Sequence, residues 1–163
     1  MSARRTFLLG AASLLGACGF ELKRAPELHF KTIRLAGFTP RSPLAAELKM
    51  NIDASTTTHV VEAVKDAEVV LQALADEREK SVVATTSASQ IREYELRSRF
   101  RFDLQSAAGK DLLPASEILL KRDLTYTESA ALAKEQEEAF LYRAMQTDIV
   151  SQVLRRLASV RVL

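Results

Sequence analysis

The residues able to do chemistry are few. The chain has one cysteine, two histidines and a regular row of arginines. Cys18 has no second cysteine to join, which excludes an internal disulfide and a cysteine-based zinc site. It stands directly behind an apolar run, where its thiol can accept a lipid; the other reading of a lone cysteine is a buried core residue. His29 and His59 lie far apart with no Asp, Glu or Cys at a repeating ligand spacing, and read as ordinary surface or half-buried histidines. Arg97, Arg99 and Arg101 alternate with Ser98, Phe100 and Phe102, so they project from one face of one strand, about 7 Å apart. Guanidiniums so spaced can grip phosphates. The alternative is a salt-bridged outer face, for which Asp103, Glu117 and Asp123 are at hand. Lys80 and Arg92 flank a Ser/Thr-rich stretch, and Lys134 falls in the first turns of a long helical pattern. The helix dipole disfavours a lysine there unless Glu138 pairs with it at i+4.

Other chemistries lack their parts. No serine lies in a Gly-x-Ser-x-Gly turn, and five glycines do not make a phosphate loop. Glu135, Glu137 and Glu138 read as a solvated first helical turn. No motif asks for a nucleotide, a metal or another cofactor. The 23 Lys and Arg exceed the 21 Asp and Glu by two, and two of the basic residues, Arg4 and Arg5, lie in the first 17 residues, which hold no acid. The remainder is neutral, which disfavours nucleic acid as a partner bound through bulk charge.

Residues 1–17 read as a secretory signal. A basic start, Met-Ser-Ala-Arg-Arg, precedes the apolar stretch Thr6–Ala17, which is shorter than the about 20 residues a spanning helix needs. Leu15-Gly16-Ala17-Cys18 resembles a lipobox, with Cys18 as the acceptor of a diacylglycerol. One acyl chain holds a protein only marginally, at ~0.8 kcal/mol per buried methylene, whereas two or three hold it stably. Gly19 in place of Asp after the cysteine favours sorting to the outer membrane of a Gram-negative cell. Arg4-Arg5-Thr6-Phe7-Leu8 also fits a twin-arginine signal, with a plain basic region as the alternative.

The elements that must position these residues follow from periodicity. Residues 18–28 read as a lipidated tether and 29–163 as one domain. A strand at 29–35 is followed by a helix from about 43 to 52, with Ser42 as its cap and Pro43 in its first position. His59-Val60-Val61 reads at most as a brief extended piece. A strand over 69–80 turns polar at Asp76-Glu77-Arg78-Glu79-Lys80, and 81–90 reads as a turn. Residues 91–104 alternate cleanly, and a second alternating segment spans 118–126. Leu141, Met145, Ile149, Val153 and Leu157 mark one face of a helix over about 129–158, capped by Thr127 or Ser129. The expected fold is α+β: strand, helix, three strands, helix, packed as a four-stranded sheet with both helices on one face.

The segments also resemble a known family, the LptE lipoproteins of lipopolysaccharide assembly. Cys18-Gly19-Phe20-Glu21-Leu22-Lys23-Arg24 is similar to the family's opening. Glu93-Tyr94-Glu95-Leu96 and Leu119-Leu120-Lys121-Arg122-Asp123-Leu124-Thr125-Tyr126 resemble two of its strands. Leu132-Ala133-Lys134-Glu135-Gln136-Glu137-Glu138, Met145-Gln146-Thr147-Asp148 and Leu154-Arg155-Arg156-Leu157 resemble its last helix. The resemblance implies a lipid-anchored outer-membrane protein, not an enzyme, that plugs an LptD-like β-barrel and binds lipopolysaccharide. It implies lipopolysaccharide contacts near the hairpin end and the start of the last helix. Lys134 matches one such position. Ser87 stands where the family's hairpin arginine is expected, with Arg92 nearby, and Lys80, Arg97, Arg99 and Arg101 are further candidates. A free-standing periplasmic lipid-binding or scaffolding lipoprotein is the alternative.

Overall fold

The computed structural model describes residues 26–161. Cys18 and the expected signal therefore lie outside the described residues. Strand β1 (Thr32–Ala36) leads to helix α1 (Pro43–Asp53), then to the short strand β2 (His59–Val60). Three long strands follow, β3 (Val69–Thr85), β4 (Ile91–Ser106) and β5 (Asp111–Thr125), and the final helix α2 spans Ala131–Ala158. The sheet order is β2-β1-β3-β4-β5. β1 runs parallel to both neighbours, and β3, β4 and β5 form an antiparallel meander.

The α+β class with two helices holds, but the sheet has five strands rather than four and an additional strand follows the first helix. The fifth is β2. It is too short to carry a hydrophobic period, and tertiary hydrogen bonds define it instead. His59 N–H donates to Lys31 O (2.9 Å), Val61 N–H to Ile33 O (2.9 Å), and Thr58 Oγ1 to Phe30 O (2.7 Å). Asp53 Oδ1 accepts from Val60 N–H at 2.8 Å and ties β2 to the end of α1.

Two long strands exceed their expected lengths. β3 continues past the polar run through Ser81–Thr85, so that only residues 86–90 turn the chain. β5 begins at Asp111, before Pro114. Proline is tolerated there because β5 is an edge strand and a register shift falls at that point. At α1 the expected cap is present: Ser42 Oγ accepts from Ala45 N–H (3.2 Å), with Pro43 next. At α2 it is absent. A single 3₁₀ turn, Glu128–Ala130, precedes the helix, and neither Thr127 nor Ala130 makes a side-chain cap bond.

Both helices share one core on one face of the sheet. Leu44, Leu48 and Ile52 of α1 and Ile149, Val153 and Leu157 of α2 meet Ile33, Leu71, Phe100, Phe102 and Leu104. The rings of Phe100 and Phe102 stack at 5.3 Å, and Phe38 covers Phe100 at 5.8 Å. Leu28 and Phe30, ahead of β1, are already buried in this core. A smaller cluster of Leu96, Leu124 and Met145 underlies the N-terminal half of α2.

A β-bulge decides what faces the helices along β3. Ala73 pairs with Phe102 and Ala75 with Arg101, so Leu74 is an extra residue without a partner. Before it, Val69, Leu71 and Ala73 point to the core. Beyond it, Asp76, Arg78 and Lys80 stand opposite Phe100, Ser98 and Leu96 and take the helix side. Glu77 and Glu79, opposite Arg99 and Arg97, take the bare side.

Gly37 ends β1 with φ +77°, and a Cβ there would collide with Gln72 Nε2 and Ala73 O. Gly109 has φ +82° and open space around it. Left-handed backbone costs an L-residue roughly 1–2 kcal/mol. Gly109→Ala is expected to lose about that much in urea unfolding. Gly37→Ala should lose clearly more, and equal losses would mean that the Ala73 carbonyl yields to the methyl.

Candidate functional site

The bulge delivers three charged residues of β3 to the helices, and each finds a partner. Asp76 Oδ2 accepts from Ser42 Oγ at 3.0 Å. Arg78 Nη2 donates to Gln146 Oε1 at 2.7 Å, and its guanidinium lies 5.3 Å from the centre of the Tyr142 ring. Lys80 Nζ pairs with Glu138 Oε2 at 2.6 Å and lies 4.1 Å from the centre of the Tyr94 ring. Tyr142 Oη donates to Glu79 O at 2.8 Å, and Tyr94 meets Tyr126 edge-on at 5.4 Å. One turn earlier on α2, Lys134 Nζ donates to Thr125 Oγ1 (3.1 Å) and pairs with Glu137 (2.8 Å). The expected Lys134–Glu138 pair is thus replaced, because Glu138 is engaged by Lys80.

This end of the molecule is a cationic and aromatic cluster whose charges are already answered. The hydrogen bond from Lys80 to Glu138, reinforced by the charge of that carboxylate, raises the lysine pKa against the opposing effect of burial. Burial, then the charge of Glu138, raises that of Tyr142. Arg92 lies beside the start of α2, in a cleft of about 260 Å³ with Tyr126, Glu128 and Ser129. Ser87 sits in the β3–β4 turn, which Thr86 closes: its Oγ1 accepts from Gln90 N–H and its O from Ser89 N–H.

The arginine row occupies the other side of the sheet and is salt-bridged at Arg97 and Arg99. Arg99 pairs with Glu77 (3.1 Å), and Arg97 with Glu79 (3.7 Å) and with Glu95. Lys121 reaches Glu95 at 3.5 Å. The hydrogen bond and charge of Arg97, followed by the charge of Lys121, hold the Glu95 carboxyl below its usual range. Arg101 is exposed and faces Glu117 across the β4–β5 register. The acids that pair are Glu77, Glu79 and Glu95 rather than Asp103, Glu117 and Asp123. Asp103 is half-buried instead; its Oδ1 has no hydrogen-bond partner, and burial together with the charge of Asp111 pushes its pKa up. Glu77, Glu79, Arg97, Arg99, Glu117 and Leu119 line a shallow hollow of about 520 Å³ on this bare face.

The six cations read from the sequence therefore do not form one site. Lys80 and Lys134 converge around one turn of α2, with Arg92 at its N-terminal approach. Arg97, Arg99 and Arg101 lie behind the sheet. Sequence reasoning missed Arg78, Tyr94 and Tyr142 as members of the cluster. The i, i+2 spacing of Arg78 and Lys80 was visible, but the bulge that turns them inward was not. His29 and His59, thirty residues apart in sequence, line one cleft with Glu68, because β1 and β2 pair in parallel. Among the described residues no three His, Cys, Asp or Glu are grouped as metal ligands, and no helix is long and apolar enough to cross a membrane.

Residues 30–157 match the family model described as LptE, lipopolysaccharide-assembly. The LPS-assembly lipoprotein LptE of Pectobacterium atrosepticum is 24% identical over 158 residues, covering 95% of this chain and 85% of that protein. The solution NMR structure of an uncharacterized lipoprotein B from Nitrosomonas europaea is 31% identical, with a TM-score of 0.73 over 86% of this chain and 91% of that one. The crystal structure of the rare lipoprotein B from Shewanella oneidensis shares the fold at 23% identity, with a TM-score of 0.67 over 79% of this chain and 95% of that one.

The Lys80–Glu138 pair has a predictable pH signature. Folded Lys80 holds its proton more tightly than the unfolded chain does. Its stabilising contribution is thus complete below the ordinary lysine value of 10.5 and declines as pH rises through the folded value. Lys80→Met should melt lower than the parent chain at about pH 8, and the gap should close well above 10.5. A gap constant with pH would assign the loss to packing on Tyr94.

Proposed function

The chain belongs to the LptE lipopolysaccharide-assembly family, and on that premise we propose that it is an outer-membrane lipoprotein that plugs an LptD-like β-barrel and binds lipopolysaccharide. Residues 1–17 are its signal peptide, Cys18 carries the lipid, and the tether that follows ends where Leu28 enters the core. The protein acts by binding and shaping a path, and no catalytic step is assigned to it.

The observation that carries the lipid-binding reading is the convergence of Lys80 and Lys134 on one turn of α2, each held by a glutamate. Their pairs are partly exposed, and such pairs contribute only ~0.2–1 kcal/mol each. A lipid phosphate can take the place of either glutamate at little cost. Exposed apolar residues stand beside these cations, Val82 and Val83 near the β3–β4 turn and Leu132 at the start of α2. An amphiphile with phosphates at one end and acyl chains at the other suits that mixture. The bare face supports the plug reading: Arg97, Arg99 and Lys121 pair there with Glu77, Glu79 and Glu95, and such a polar face suits the polar interior of a large barrel.

Lys80→Gln/Lys134→Gln is expected to weaken lipopolysaccharide binding by about tenfold, roughly 1.4 kcal/mol, in a salt-sensitive manner. Unchanged binding by the folded variant would remove these lysines from the site. Cys18→Ala should leave the domain folded but absent from outer-membrane fractions. The parent chain should copurify stoichiometrically with a large barrel from solubilised outer membranes. Recovery as a lone monomer would favour the free-standing lipid-binding lipoprotein.

A further inference from the structure

The outer edge of β5 carries an unusual arrangement of arginines. Tyr126 N–H donates to Arg92 O at 2.8 Å, and the β4–β5 register is unbroken from Glu93↔Thr125 to Phe102↔Ser116. Even-numbered residues over this stretch of β5 therefore turn their peptide groups toward β4, and odd-numbered residues turn theirs away from the sheet. Glu117, Leu119, Lys121 and Asp123 thus present the backbone donors and acceptors of an open edge. Two of those outward carbonyls are covered. Arg156 Nη2 donates to Glu117 O at 3.2 Å, and Arg122 Nη1 to Lys121 O at 2.9 Å. Each guanidinium is itself held in place: Arg122 by Asp148 Oδ2 (3.3 Å), Arg156 over the Phe102 ring (5.9 Å).

The segment between the two arginines is complementary to itself. Antiparallel pairing with a second copy, centred on Leu119, sets Glu117 against Lys121 twice and Leu119 against Leu119 on the bare face. It sets Ile118 against Leu120 on the helix side. Outward-facing residues meet only in registers that move by two positions. A shift in one direction opposes Glu117 to Asp123; in the other it opposes Glu117 to Leu119. The register centred on Leu119 is the one of these three that pairs the charges.

We infer that β5 is a self-pairing edge, closed by Arg122 and Arg156, which hold the chain as a monomer by occupying the carbonyls that a second copy would use. The occupant is a second copy of this chain, and the joined sheet is continuous through both copies. Withdrawal of the two guanidiniums frees the ladder without altering the core, because Arg122 is exposed and a methionine at 156 keeps an apolar stem over Phe102.

The test is sedimentation equilibrium of the full-length chain purified in detergent, with circular dichroism as the folding check. The parent chain should be monomeric, and Arg122→Ala/Arg156→Met should dimerise at least about tenfold more tightly. Adding Lys121→Glu should return it to monomer, and adding Glu117→Lys as well should restore the dimer. Should the double variant not fold, Arg122→Ala alone should show the same dimer more weakly. A folded variant that stays monomeric overturns the inference. So does a dimer that ignores Lys121→Glu, or a parent chain that already dimerises through this edge.

Discussion

The register of β3 on β4 is the constraint on which the rest of the structure depends. One extra residue, Leu74, reverses the facing of the stretch from Ala75 to Val82 that follows it along β3. Without that reversal Glu77 and Glu79 would point at α2, whose first turns carry Glu135, Glu137 and Glu138, and like charges would meet across the helix–sheet gap. With it, Arg78 and Lys80 meet Gln146 and Glu138, and the glutamates meet the arginine row behind the sheet. A local backbone irregularity thus sorts the charges of both layers.

Where the molecule pairs its charges internally, it does so weakly. Its ion pairs are largely exposed, and two of them have a tyrosine ring or a threonine hydroxyl beside the cation. Firm packing and loose electrostatics occupy different regions. The large core around Phe100 and Phe102 is sealed between both helices and the β1 side of the sheet, whereas the β3–β4 turn and the start of α2 rest on the small cluster of Leu96, Leu124 and Met145. A binding protein is well served by that division: the scaffold holds its shape while the charged end exchanges partners.

The alternation of β4 and the four-residue stripe of α2 were legible in the sequence because each is a property of one uninterrupted element. Arg97, Arg99 and Arg101 were placed on one face correctly for that reason. Features that depend on two segments meeting were not legible. His59-Val60-Val61 was read as a brief extended piece but not as a fifth strand of the sheet, because β2 joins it through bonds to Lys31 and Ile33 and two residues carry no pattern. The polar run from Asp76 to Lys80 looked like the end of a strand, because charges toward a helix layer are unexpected until their partners on α2 are known. The same lack of partner information led to Glu138 as the mate of Lys134 and to a side-chain cap for α2, where a 3₁₀ turn serves instead.

The position of β1 has a mechanical consequence. The chain arrives through Leu28 and Phe30, both buried, and runs at once into β1, which lies inside the sheet with parallel neighbours on either side. A pull on the N-terminus therefore loads the ladders to β2 and β3 along the strand axis, so that their hydrogen bonds must shear together rather than open one at a time. A body hung from its first strand in this way withstands tension at the point where a tether would apply it.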